Sequence, residues 1–403
     1  MDHSPRTSNV KSVPATVVRH RTNPTERLGS WLEIDAEAFE HNIRALGARL
    51  AGRSSMCAVV KADAYGHGLD VLAPSLVSLD LPAIGVARNE EARIVRGHGY
   101  TGRLIRVRPA APGEIDDGMA HGIEEMIGNL HLAQKADAIA RRKGRALRYH
   151  FAVNSSGLSR DGLELAGPRG RAEARAMLAL PHLVVAGITT HFPMEQRDDV
   201  RAGLDCFLRD SAWFIRQGLD RQQVLLHCAT SFAALEVPES WLDMVRAGAT
   251  LYGDSSPTHR EFKRVMAFKA RVASVNEYPA GNTVGYDRAH TLHRASRLAS
   301  VTVGYADGYR RVLAGKAHVL VRGRRAPVLD KISMNVLVAD VTDIDGVAPG
   351  DEVVLFGRQG DSEITPRELE DANGALFADL YTVWGNSNPK ILKGTRQAMQ
   401  PDR

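Results

Sequence analysis

The chain has 403 residues, which at roughly 100–200 residues per domain points to two domains. Hydrophobic residues make up 44% and charged residues 25%, the balance of a globular chain and not of a fibre or a disordered polymer. The net charge of +5, from 52 basic and 47 acidic residues, is not clustered like a nucleic-acid footprint, and no apolar run approaches the ~18 residues of a membrane-spanning helix.

The first 30 or so residues are polar and rich in Pro, Ser, Thr and Arg, without the apolar core of a secretory signal. They read as an extension outside the folded unit, and the chain as a cytoplasmic one; a periplasmic location stays open if a signal has been removed. The three cysteines, Cys57, Cys206 and Cys228, form no CxxC pair, so no structural zinc or other metal site is expected. Cys57 and Cys228 lie in apolar runs and read as buried free thiols.

From Trp31 to about residue 260, short apolar runs alternate with helical patterns. WLEID (31–35) is followed by AEAFEHNIRALGARL, with Phe39, Ile43 and Leu46 at helical spacing. Then come SMCAVVKAD, AIGVA, GRLIRVR, IEEMIG, RYHFAV, VVAGITTHF, QVLLHCA and MVRAGATLYG. Strands apolar on both faces and alternating with helices imply parallel βαβ units, and about eight in succession imply a (β/α)8 barrel, with a doubly wound sheet as the rival. From about Phe262 the runs become short, β-rich and divided by Gly, Pro and Asp, as in an antiparallel β domain. The resulting division is an extension at 1–30, a barrel at 31–260 whose first strand is free to join the β domain, a β domain at 261–395 and a tail at 396–403.

Active sites of such barrels lie at the C-terminal strand ends. The polar residues there are Lys61, Arg106, Arg108, Asn154, Arg160, His191, Ser231, Arg246 and Gly248. Position alone leaves Lys61 as a loop-starting surface lysine. A strand-end amine against apolar walls is, however, partly desolvated, which lowers its pKa and makes it a nucleophile or Schiff-base partner. Gly66 and Gly68 beyond it, Ser231 before a helical run, and Arg246-Ala247-Gly248 are three candidate phosphate cradles. One such lysine with several phosphate-type loops around a barrel mouth points to pyridoxal phosphate.

The strings AVVKADAYGHG, THF, HCATS, RAGATLYG, TVGYD, GYADGYRR, ISMN and GDEVVLFG, in this order, resemble the alanine racemase family of fold-type III pyridoxal-phosphate enzymes. RYHFAVNSSGLSRDGLEL and LYTVWGNSNPKI are similar to its broad-specificity amino-acid racemases, with Ala152 and Asn154 where typical alanine racemases carry a lysine-bearing strand. The resemblance implies that Lys61 holds the cofactor as a Schiff base and acts as one base. It implies that Tyr286 is the second base, arriving from the other subunit of a homodimer. Arg246 corresponds to the arginine facing the pyridine nitrogen, His191 to the imidazole packed on the ring, and Arg160 to the arginine near the 3-oxygen. Tyr65, Ser231, Gly248 and Tyr381 correspond to the phosphate-binding set. Met334, Tyr305, Asn154, Arg106 and Arg108 are implied on the substrate side.

Three departures stand out. Asp161 follows Arg160 where the broad-specificity group has an amide, and Ser156 stands where glycine is common. Periplasmic members pair the cysteine equivalent to Cys57 with one at the position of Ala83, so that disulfide is expected to be lost here. The expected activity is interconversion of L- and D-amino acids (Ala, Lys, Arg, Ser and similar), with no nucleic-acid or membrane partner. The alternatives are a strict alanine racemase supplying cell-wall D-alanine, a fold-type III decarboxylase, and a non-catalytic pyridoxal-phosphate-binding protein.

Overall fold

The computed structural model describes residues 24–255, 258–329 and 331–393. The expectations for residues 1–23 and for the tail at 396–403 lie outside the described residues.

Strand β1, Ser30–Ile34, is followed by the helix Ala36–Leu50, which Asp35 caps by accepting from the Ala38 amide at 2.9 Å. Phe39, Ile43 and Leu46 form the buried stripe that periodicity predicted, and Leu50 continues it. Eight parallel strands follow: β2 Ser55–Val59, β3 Ala83–Val86, β4 Arg103–Arg106, β5 Ile123–Ile127, β6 Leu147–Ala152, β7 Leu183–Thr189, β8 Leu225–His227 and β9 Met244–Ala247. They pair in the order β8-β7-β6-β5-β4-β3-β2-β9. Amides of Asp243 and Arg246 donate to the carbonyls of Leu226 and Ala229, joining β9 to β8 and closing the barrel. Most strand positions are buried on both faces, because one face packs on the helices and the other fills the barrel. Cys57, Ala83, Ile105 and Met244 form one apolar cluster, separate from the main core. Cys57 and Ala83 are ladder partners, so Ala83 stands where a cysteine would meet the Cys57 thiol.

The second unit is built on β10 Met266–Tyr278, β11 Thr283–Val284, β12 His290–Thr291, β13 Ser296–Val301, β14 His318–Val321, β15 Arg324–Leu329, β16 Leu337–Asp340, β17 Glu352–Gln359, β18 Ser362–Ile364 and β19 Lys390–Leu392. Strands β10, β13, β16, β15, β14 and β17 pair antiparallel, and a further β10–β17 ladder closes them into a ring. The 13-residue β10 serves several partners because its pairing shifts at Phe268/Lys269 and at Val272/Ser274. Strand β1 pairs with β10 and β19, so WLEID belongs to this sheet and not to the barrel.

Two helices, Pro366–Asn373 and Phe377–Ser387, interrupt the β pattern. The second joins the two units: Trp384 packs on Phe268 and Phe356 of the β sheet, while the Tyr381 ring lies 6.2 Å from that of Tyr65 and 5.8 Å from that of His67 in the barrel unit. No helix among the described residues is long and apolar enough to cross a membrane.

Candidate active site

At the C-terminal ends of the barrel strands lies a cavity of about 380 Å³. Lys61, Tyr65, Arg106, Arg160, His191, Ser231, Arg246 and Gly248 line it, eight of the residues singled out from sequence, together with Asp161, Glu195, Thr189, Thr190, His150 and His227.

Lys61 ends the β2 segment, and the chain then makes a left-handed turn. Ala62, Asp63, Ala64 and Tyr65 have φ of 55°, 56°, 54° and 54°. For non-glycine residues this conformation costs about 1–2 kcal/mol each. Specific contacts hold it: Glu91 accepts from the Ala62 amide at 2.8 Å, and Asp63 accepts from the Leu69 amide at 2.7 Å and pairs with Lys390 at 3.0 Å. Strain concentrated next to a single lysine makes it a candidate working position. The Lys61 amine has no hydrogen-bond or ion-pair partner among the described residues. Burial lowers its pKa, and the charges of Arg160 and Arg246 lower it further.

Across the mouth, Ser231 Oγ accepts from the Gly248 and Thr250 amides at 3.1 and 3.3 Å. A Cβ on Gly248 would meet Tyr65 Oη at 2.2 Å, so only glycine allows the tyrosine hydroxyl and this backbone to approach so closely. Hydroxyls and backbone donors converging on a small concavity suit an oxyanion such as phosphate.

Arg246 lies on the cavity floor. One guanidinium nitrogen donates to Thr189 Oγ1, His227 Nδ1 and the His227 carbonyl at 3.0, 2.8 and 2.7 Å; the other donates to the Thr190 carbonyl at 2.9 Å. Burial, with Arg246, Arg160 and Lys61 nearby, pushes His191 down to about 3, so its imidazole is neutral. Ser156, the departure next to this loop, donates to the His191 carbonyl at 2.6 Å and so braces it.

Several expected site residues are engaged by other partners, in or away from the cavity. Arg108 pairs with Glu114, and Asn154 braces its own loop through Ser159 and Glu164, outside the cavity wall. Arg106 reaches the wall, but its guanidinium is buried against Glu125 at 2.7 Å and Asn89 at 2.6 Å. Tyr381 donates to Asp254 at 3.1 Å and lies behind Tyr65, their ring centroids 6.2 Å apart, so its hydroxyl is engaged away from the cradle. Arg160 pairs with Asp161 at 3.0 Å, which ties the acid that departs from the amide pattern to the cavity rim.

Tyr286, Tyr305 and Met334 are absent from the cavity lining and exposed, at 60%, 40% and 56%. They form one patch on the β domain. The Arg311 guanidinium sits 5.9 Å from the Tyr286 ring and 5.7 Å from the Tyr305 ring, and the Tyr305 and Ala306 amides donate to the carbonyls of Ser333 and Met334. Asp287 and Arg288, next to Tyr286, also hold positive φ, 60° and 53°.

Reading strand ends missed the barrel interior. His150, His227 and Glu124 are buried polar residues within strands, and their signal was in plain view: an imidazole or carboxylate inside an otherwise apolar run (RYHFAV, LLHCA, GIEEMI).

A closed parallel barrel with a strand-end lysine, an oxyanion cradle and a second β unit defines a class of two-domain enzymes. The family model for the alanine racemase N-terminal domain matches residues 34–256, and that for the C-terminal domain matches residues 265–392. The chain therefore belongs to the alanine racemase family. It is 55% identical to a broad specificity amino-acid racemase of Pseudomonas putida over 92% of this chain and 91% of that protein. It is 46% identical to a lysine racemase of Proteus mirabilis over 94% of this chain and 93% of that protein. The crystal structure of alanine racemase from Streptomyces lavendulae superposes with a TM-score of 0.83 at 30% identity, covering 91% of this chain and 97% of that one.

Proposed function

We propose that the chain is a pyridoxal-phosphate-dependent racemase of broad specificity that acts as a homodimer. The observation that carries this reading is the unpaired, pKa-lowered Lys61 amine facing a Tyr65–Ser231–Gly248 oxyanion cradle, with Arg246 beneath. These residues fit the cofactor: an amine to bond its aldehyde, a cradle for its phosphate, and a cationic donor for its ring nitrogen. Bound there, pyridoxal phosphate supplies an electron sink for the substrate α-carbon.

The chain's own residues do the rest. Lys61 holds the cofactor between turnovers and, once displaced by substrate, takes or returns the α-proton on one face. Tyr286 of a second copy serves the other face, since it lies outside the cavity of its own chain. An arginine cannot readily release its proton, so with the cofactor bound Arg246 would face the ring nitrogen as a donor and would keep it unprotonated. By doing so Arg246 would favour return of the proton to the α-carbon over side reactions. His191, kept neutral, would offer the ring an uncharged face. Met334 of the second copy holds the substrate carboxylate through its backbone amide, with Tyr305 at the entrance. The broad specificity relative supports a wide substrate range, and the lysine racemase relative supports including lysine in it. The free, buried Cys57 opposite Ala83 supports the reducing cytoplasm as its compartment.

Chiral chromatography of reactions with L-Ala, L-Lys, L-Arg and L-Ser tests this. Racemisation of several, including the basic pair, is expected. Turnover of alanine alone would leave the strict alanine racemase, and CO₂ release from ornithine would leave the decarboxylase.

A further inference from the structure

Beneath the cavity, four side chains run in single file into the barrel. Arg246 contacts His227 Nδ1 at 2.8 Å. His227 Nε2 contacts His150 Nδ1 at 2.8 Å, and His150 Nε2 contacts Glu124 Oε2 at 2.8 Å. Arg148 and Arg103 close the far end on Glu124 Oε1, at 2.8 and 3.3 Å. His150 and His227 are 0% and 1% exposed, so water does not share these bonds.

The two ends settle every proton between them. A guanidinium carries donors only, so His227 Nδ1 must accept and its proton sits on Nε2. That proton is donated to His150 Nδ1, which leaves the His150 proton on Nε2, and a carboxylate can only accept it. Protons therefore point one way, from Arg246 to Glu124, with both rings neutral and all four ring nitrogens used.

We propose that Glu124, His150 and His227 are a directional hydrogen-bond relay that fixes the pose of Arg246, making them positioning residues for the reaction. Burial pushes both imidazoles below their ordinary pKa, in keeping with neutral rings. Burial raises Glu124, but hydrogen bonds from His150 and Arg148 and the charge of Arg103 outweigh it and hold the carboxyl at about 2. A relay of this kind is worth more than its separate bonds, because reversing one proton strands a buried donor against a donor. The part of the inference that concerns the reaction rests on the proposed function; the proton order does not.

Long-range 1H–15N correlation spectra of the histidine rings, recorded on the full chain with and without pyridoxal phosphate, read the proton order directly. His150→Gln and His227→Gln assign the signals. Both rings are expected as neutral Nε2–H tautomers in both states. An imidazolium or an Nδ1–H tautomer at either ring overturns the relay.

The second readout is the partition between D-amino acid and 2-oxo acid. In the side reaction the amino group stays on the cofactor as pyridoxamine phosphate. The substrate α-carbon is oxidised, the cofactor aldehyde carbon is reduced, and water supplies the oxo oxygen. His150→Phe removes the acceptor of His227 and loosens Arg246, so 2-oxo acid formed per racemisation should rise about tenfold. His150→Gln, which keeps a donor and an acceptor at that point, should restore most of the wild-type ratio. An unchanged ratio in folded His150→Phe protein overturns the positioning role. Should the tautomers appear as stated in a chain that does not racemise at all, the relay stands and the functional reading falls.

Discussion

At Lys61, two effects act on the amine in one direction. Burial disfavours the charged form, and the guanidinium groups of Arg160 and Arg246 repel it, so both lower the pKa. Removing one cation removes one of these contributions. Arg160→Gln should therefore raise the Lys61 pKa and shift the pH profile of its modification by an amine-directed reagent, in cofactor-free protein, to higher pH. A profile unmoved or moved to lower pH contradicts the assigned cause. Lys61→Ala should abolish reductive trapping of pyridoxal phosphate by borohydride, read by mass spectrometry; trapping at another lysine would contradict the assignment. Most of the cavity was legible at this scale, because residues at the C-terminal ends of the strands of a parallel barrel tend to face its mouth, though Arg108 and Asn154 turn away to local partners. Tyr381 and Arg108 were less legible. A phenol and a guanidinium go to whichever carboxylate lies nearest in space, here Asp254 and Glu114, and local sequence does not disclose the former.

The elements explain how the strained turn after β2 survives. Gly66, at φ +77°, faces Gly385 of the helix Phe377–Ser387, and a Cβ on Gly385 would meet the Gly66 carbonyl oxygen at 2.2 Å. The helix of one unit thus clamps the lysine-bearing turn of the other. Gly385→Ala should cost about 1–3 kcal/mol through overpacking. A lower melting temperature and weaker cofactor retention are expected together, since the atom displaced belongs to the turn. An unaltered melting temperature would show that the contact is slack. In the barrel, Ala83→Cys should form a disulfide with Cys57 under mild oxidation, because adjacent parallel strands lie about 4.8 Å apart and the two residues are ladder partners. Loss of both free thiols by mass spectrometry checks it. The barrel strands were readable as continuous apolar runs. The helix Pro366–Asn373 had a signal that a β-rich stretch concealed: Thr365, Pro366 and Glu368 spell a capping box, and Thr365 and Glu368 cap each other in the structure. Strand β1 was hidden for a different reason. Its five residues suit either sheet, and only its pairing with β10 and β19 decides between them.

At the scale of the whole molecule, the parts of the proposed chemistry are divided. The barrel of one chain carries Lys61, the cradle and Arg246, while Tyr286 and Tyr305 stand exposed around Arg311 on the β domain, with exposed Met334 beside Tyr305. Strained backbone and exposed tyrosines are poor value for a surface that meets only water. They make sense against a second copy, in the self-complementary arrangement of a two-fold dimer. Sequence separation alone did not reveal this division; the family resemblance implied it, and the position of Tyr286 outside its own cavity supplies the physical reason. The direct test is subunit mixing. Lys61→Ala and Tyr286→Phe chains, each expected to be nearly inactive alone, are unfolded together and refolded as a mixture. If each site takes Lys61 from one copy and Tyr286 from the other, random pairing puts one intact site in each mixed dimer and returns about a quarter of wild-type racemisation. If both residues serve the site of their own chain, the mixture stays as inactive as its parts, and the shared-site account is wrong.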